Sequence, residues 1–151
     1  MTPLIKIDGA RWTQFVVLQA AGLYFSKKLK GFQRKRVRVH VVLERGLKTR
    51  EKCRGMAHQN SKRGYIIKLE PTLKSLAMLR CFAHEMIHVN QWLTGKMVDM
   101  NGWRSQVRWG SKVYNMPMRY SKHPWEKEAY RQDWRLAQSF IDFYTSGWRK
   151  Q

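Results

Sequence analysis

Residues 84–88 read His-Glu-Met-Ile-His, and the positions around and between the charged ones are apolar: Phe82, Ala83, Met86, Ile87 and Val89. A segment this apolar is driven out of water. It nevertheless carries two imidazoles and a carboxylate, whose burial is costly unless each finds a partner. Leu76, Leu79, Arg80, Ala83, Ile87 and Trp92 recur at helical spacing. They predict a helix capped by Thr72 or Ser75, running to about Thr94 and stopped by Gly95. Residues four apart lie on one face of a helix, so His84 and His88 point the same way with Glu85 beside them. The rest of the chain has to deliver a compensating group to the middle of this helix.

Four further regular elements flank it. Residues 10–29 place Trp12, Phe15, Val16, Leu18, Leu23 and Phe25 mostly at helical spacing, which predicts an amphipathic helix over one face of a sheet. Residues 36–44 alternate basic and β-branched side chains, a half-exposed strand with Val37, Val39 and Val41 on one side and Arg36, Arg38 and His40 on the other. Residues 64–70 (GYIIKLE) are a second strand, ended by Pro71. The polar, basic stretch 45–63 reads as a loop, and 103–109 as a short strand or irregular connection. A last helix spans 124–146, with Pro124 in its first turn, Gly147 beyond its end, and Trp134, Ala137, Phe140, Ile141 and Tyr144 facing inward. With 151 residues, 43% of them hydrophobic, and no internal repeat or linker, the expectation is one α+β domain over 1–151, a small twisted mixed sheet packed on three helices.

The chemistry follows from the residue types. Two histidines one helical turn apart can ligate one metal ion, and zinc lowers the pKa of a bound water towards about 7. Glu85, beside the histidines and not among the ligands, is placed to take a proton from that water and pass it to a leaving amine. This predicts a Zn2+-dependent peptide hydrolase. A catalytic zinc needs a third protein ligand. An extended motif with His at position 94 is excluded, because Gln91 and Thr94 stand where Gly and His belong. The segment Pro124-Trp125-Glu126-Lys127-Glu128-Ala129-Tyr130 is the better source, since an Ala three residues after a Glu lets two helices approach closely.

The pairing of HEMIH with a downstream Glu-x-x-Ala resembles the gluzincins, above all the single-domain minigluzincins and the HExxHxxQ/PWExEA zinc peptidase-like proteins of bacteriophages. The order of helices and strands is similar as well, although only 84–91 and 124–130 are specific. The resemblance implies a zincin-like fold and an endopeptidase whose third zinc ligand is Glu126, with Glu128 turned to another face. Where the family often has an acidic residue after the Ala, supporting a ligand histidine, this chain has Tyr130. A histidine third ligand, as in SprT-like proteases, is the competing arrangement, with His123 or His58 as the donor. An edge strand before the motif helix pairs with extended substrate in such enzymes, and Tyr65, Ile66, Ile67 and Lys68 are its candidates here. Tyr120, His123, Tyr130 and Arg131 are candidates for stabilising the transition state.

The net charge of +20, from 30 Lys+Arg against 10 Asp+Glu, draws polyanions to the surface. Nucleic acid is therefore a candidate partner besides a protein or peptide substrate. The alternative function is a basic, zinc-containing nucleic-acid-binding protein, or a protease acting on nucleic-acid-associated proteins. Two cysteines, Cys53 and Cys81, are too few for a disulfide scaffold, and no signal-peptide pattern or membrane-length apolar run is present. The expected location is the cytoplasm of a bacterial or phage-infected cell.

Overall fold

A computed structural model describes residues 2–33, 35–47, 55–100 and 105–149. The chain opens with a strand, β1 (Leu4–Asp8), followed by a helix, α1 (Trp12–Lys28). Next come β2 (Arg38–Leu43), β3 (Gly55–Ser61) and β4 (Gly64–Leu69), and then the motif helix α2 (Ser75–Leu93). Three short strands, β5 (Met97–Met100), β6 (Gln106–Trp109) and β7 (Lys112–Asn115), precede the last helix, α3 (Pro124–Arg149). The fold is α+β with mixed sheets. Among the described residues, no helix is long and apolar enough to cross a membrane.

The larger sheet has the order β1-β2-β4-β3. β1, β2 and β4 run parallel, and β3 is antiparallel to β4 through a tight turn at Lys62 and Arg63. Alternation gives it one apolar face, built from Ile5, Ile7, Val39, Val41, Leu43, Tyr65, Ile67 and Leu69, all buried. The helices cover that face. Gly22 lets α1 settle there: a Cβ on it would meet Ile5 Cδ1 at 2.7 Å and Phe82 Cζ at 3.2 Å. Phe25 packs edge-on against Phe82 and Phe140, with ring centroids 5.6 and 5.9 Å apart, and so ties α1 to α2 and α3. Such pairs add about 0.5–1.5 kcal/mol each beyond the area they bury.

Several expectations are corrected. Part of the expected loop 45–63 is strand β3, whose sequence GMAHQNS shows no alternation because it lies at a sheet edge and is only half buried. Strand β1 is the opposite edge, where two buried isoleucines suffice. The motif helix begins at Ser75 behind Lys74, without a side-chain cap, and the Thr72 hydroxyl instead donates to Glu70 Oε1 at 3.0 Å. Gly95 does end that helix, at φ +73°. Gly147 does not end α3, which continues to Arg149. Trp12 and Trp134, assigned to inward stripes, are 75% and 51% exposed. Cys53 and Trp103 lie outside the described residues.

A second, smaller core sits apart from the first. Met97 and Val107 of the three-stranded sheet bury against Trp125 at the start of α3, with Trp92, Trp109, Tyr114 and Met116 around them. This sheet (β5-β6-β7) stands beside the motif helix and makes one wall of a cleft.

Candidate metal centre

The motif helix and α3 pack along their length, and Ala129, fully buried at the contact, leaves room for close approach. The result brings His84, His88 and Glu126 to one point. Glu126 Oε1 lies 2.8 Å from His84 Nε2 and 2.9 Å from His88 Nε2, and the two Nε2 atoms are 3.2 Å apart. All three side chains are buried, as is Glu85. Of the expected third ligands, the geometry gathers Glu126 alone. Glu128 is turned aside, accepting a hydrogen bond from Gln91 Nε2 at 3.2 Å and pairing with Lys96. His123 stacks on Trp125 with its Nε2 donating to the Met118 carbonyl at 3.0 Å. His58, on β3, has its Nε2 3.0 Å from Met56 Sδ.

The outer nitrogens of both rings are anchored. His84 Nδ1 lies 3.1 Å from Asp133 Oδ2, and Arg80 Nε donates to the other oxygen of Asp133 at 2.9 Å. His88 Nδ1 lies 2.8 Å from Gln91 Oε1, while Gln91 Nε2 donates to the Trp125 carbonyl at 3.0 Å. An acceptor on each Nδ1 draws the ring proton there, so both Nε2 lone pairs and a carboxylate oxygen converge. Three acceptors facing one another repel unless a cation sits among them. Two imidazoles and one carboxylate are also a ligand set that suits zinc, and the residues present fit that ion.

The electrostatics agree. Burial alone would depress the His84 imidazole, yet hydrogen bonds to Asp133 and Glu126, with the charges of Glu85 and Glu126, raise it to about 10. His88 is opposed by burial and raised by its hydrogen bond to Glu126 and the same two carboxylates. Burial would raise Glu126, but hydrogen bonds from the two histidines hold it far below the usual carboxylate range. The pocket attracts positive charge, whether as protons or as a metal cation.

Gln91 and Asp133 complete the centre; Gln91 is the last residue of the HExxHxxQ segment, whereas Asp133 lies outside both specific segments. Asp133 follows Glu126 by seven residues, two helical turns along the same face of α3, and Arg80 precedes His84 by four; those spacings are the signal that could have found them. Asp133 thus occupies the supporting role left open by Tyr130. Tyr130 instead lies against His84, with centroids 4.4 Å apart. Partners that orient ligand histidines are typically worth about 10–100-fold in metal affinity. Asp133→Asn is accordingly expected to weaken zinc binding by about that factor, measured by competition with a chromogenic chelator; unchanged affinity would remove Asp133 from the centre.

A cavity of about 130 Å³ opens on the cluster, lined by Glu85, His88 and Glu126 on one side and by Met97, Val107 and Trp125 on the other. Gly55, Met56 and Ala57 of β3 form its rim. This corrects the expected substrate strand. β4 is hydrogen-bonded on both sides, to β2 and to β3, so the main chain of Tyr65, Ile66, Ile67 and Lys68 has no free edge. The edge strand beside the cavity is β3. Tyr120 also lines the cavity; burial first, then the Glu126 charge and hydrogen bonds with Tyr130 and Glu126, push its phenol well above the ordinary value. It therefore keeps its proton and remains a donor. Burial depresses His123 in the same wall, so that ring is neutral at pH 7.

No protein-family model, no curated protein and no solved structure matches this chain, so its functional reading stands on sequence and geometry.

Proposed function

We propose that this chain is a zinc-dependent endopeptidase of the gluzincin type, built on a zincin-like domain. The observation that carries the reading is the convergence of His84 Nε2, His88 Nε2 and Glu126 Oε1 within a cleft that also exposes Glu85. His84, His88 and Glu126 would hold the ion. Zinc, when bound, supplies a Lewis acid that brings the pKa of water near 7 and polarises a carbonyl. Glu85 accepts the proton of the attacking water and returns it to the amine as the peptide bond breaks. The Tyr120 hydroxyl serves as donor to the carbonyl oxygen as charge develops there, the commonest source of large rate gains in acyl transfer.

The main chain of β3, the end strand of its sheet among the described residues, pairs with an extended peptide, and the Met- and Trp-lined cavity receives one apolar side chain. The alternative, a zinc-stabilised nucleic-acid-binding protein, leaves the buried carboxylate of Glu85 without a task. Removing the metal tests the reading. Chelation is expected to abolish cleavage of an unfolded protein substrate, and zinc to restore it. Zinc at a hundred times its dissociation constant adds about 2.7 kcal/mol of stability, a rise of roughly 5–10 °C in Tm for a chain this size. Cleavage that persists in excess chelator would overturn the proposal.

A further inference from the structure

A second cavity, of about 480 Å³, opens on the other side of Glu126 and is lined by Tyr120, Ser121, Glu126, Lys127, Tyr130 and Arg131. It shares Tyr120 and Glu126 with the cleft that holds Glu85 and His88, so a chain lying across the centre passes from one into the other. Its charge is one-sided. Lys127 and Arg131 are one helical turn apart on α3 and project from the same face. The only carboxylate in the lining is Glu126, which is already engaged by His84 and His88. Arg80 is paired with Asp133 and Lys96 with Glu128. Among the described residues, Lys127 and Arg131 take part in no ion pair.

We propose that this cavity is a subsite for a carboxylate of the bound peptide, held by Lys127 and Arg131. The inference rests on the peptidase reading in taking a peptide as the ligand. Guanidinium matches a carboxylate with two parallel hydrogen bonds, and the ammonium of Lys127 adds a second charge. The Ser121 hydroxyl offers a further donor. The two cations sit on one helical turn beside Glu126 and Tyr130, whose ring abuts His84, and a pair of charges suits a single anionic group better than a row of phosphates. The carboxylate can come from an Asp or Glu side chain or from the peptide's C-terminus.

Binding to the zinc-loaded Glu85→Gln protein, read by calorimetry, tests the subsite without any cleavage. Peptides are compared in pairs, internal Glu against Gln and free against amidated C-terminus. The expected result is a preference of about tenfold or more for one acidic member, the scale of a charge-assisted hydrogen bond. The added changes Lys127→Gln and Arg131→Gln should erase that preference, and Lys127→Arg with Arg131→Lys should keep most of it. The pair that discriminates identifies the source of the carboxylate. Discrimination in this protein supports the subsite whether or not the wild type cleaves peptides. Equal affinity within both pairs overturns it, as does a preference that survives loss of both cations. Salt-sensitive binding of a single-stranded oligonucleotide that needs the same two cations, without any preference among peptides, would also overturn it and assign the face to nucleic acid.

Discussion

Glu85→Gln is expected to keep the fold and the bound zinc while lowering the rate of peptide cleavage by about 10²–10⁴-fold, the usual contribution of a positioned general base. The amide has the shape of the carboxylate, so the apolar surroundings of α2 are undisturbed, and Glu85 is not one of the three converging ligands. What the variant loses is the ability to accept a proton inside the cleft. Steady-state kinetics on an unfolded protein substrate, with zinc content measured on the same preparation, separates the two effects. Cleavage at the wild-type rate would remove Glu85 from the mechanism. Loss of zinc together with activity would mean that Glu85 is a ligand.

The second large effect concerns the glutamates of α3. Glu126→Gln is expected to reduce zinc affinity by at least ~100-fold, since partners one step removed from a metal already account for roughly 10–100-fold. The amide is the better test than alanine: both remove the counter-charge of the two histidines, but truncation would also open a cavity where Glu126 is buried. Glu128→Ala removes contacts to Lys96 and to Gln91, which keeps its bonds to His88 and to the Trp125 carbonyl, and is expected to change zinc affinity by less than the ~10-fold that marks a direct supporting partner. The opposite ranking, read by competition with a chelator of known affinity, would show that α3 presents the other face to the metal in solution.

The ranking of these glutamates in the sequence came from the gluzincin resemblance, while the pairing of the two histidines came from helical geometry. His84 and His88 are bound to share a face, and Glu126 stands three residues before Ala129, the small residue at the helix contact. Asp133 obeys the same rule, seven residues after Glu126, but a single helix gives no reason to select it until Arg80 and His84 are seen opposite. Sheet edges were less legible. Pairing is a property of two strands, and β3, a polar sequence at the end of the sheet order, carries no period of its own. The four-residue strands β5, β6 and β7 are too short for alternation to register, so the small Met- and Trp-lined core they build beside the centre emerged only from the fold.

The convergence of two imidazoles and one carboxylate on a single ion is the claim on which the rest depends, and X-ray absorption at the zinc edge of the zinc-loaded protein tests it most directly. The account predicts one zinc per chain with two histidine nitrogens, one carboxylate oxygen and no sulfur, and loss of that spectrum in His88→Ala. Sulfur ligation by Cys53 or Cys81, or failure of the protein to retain zinc at all, would contradict it.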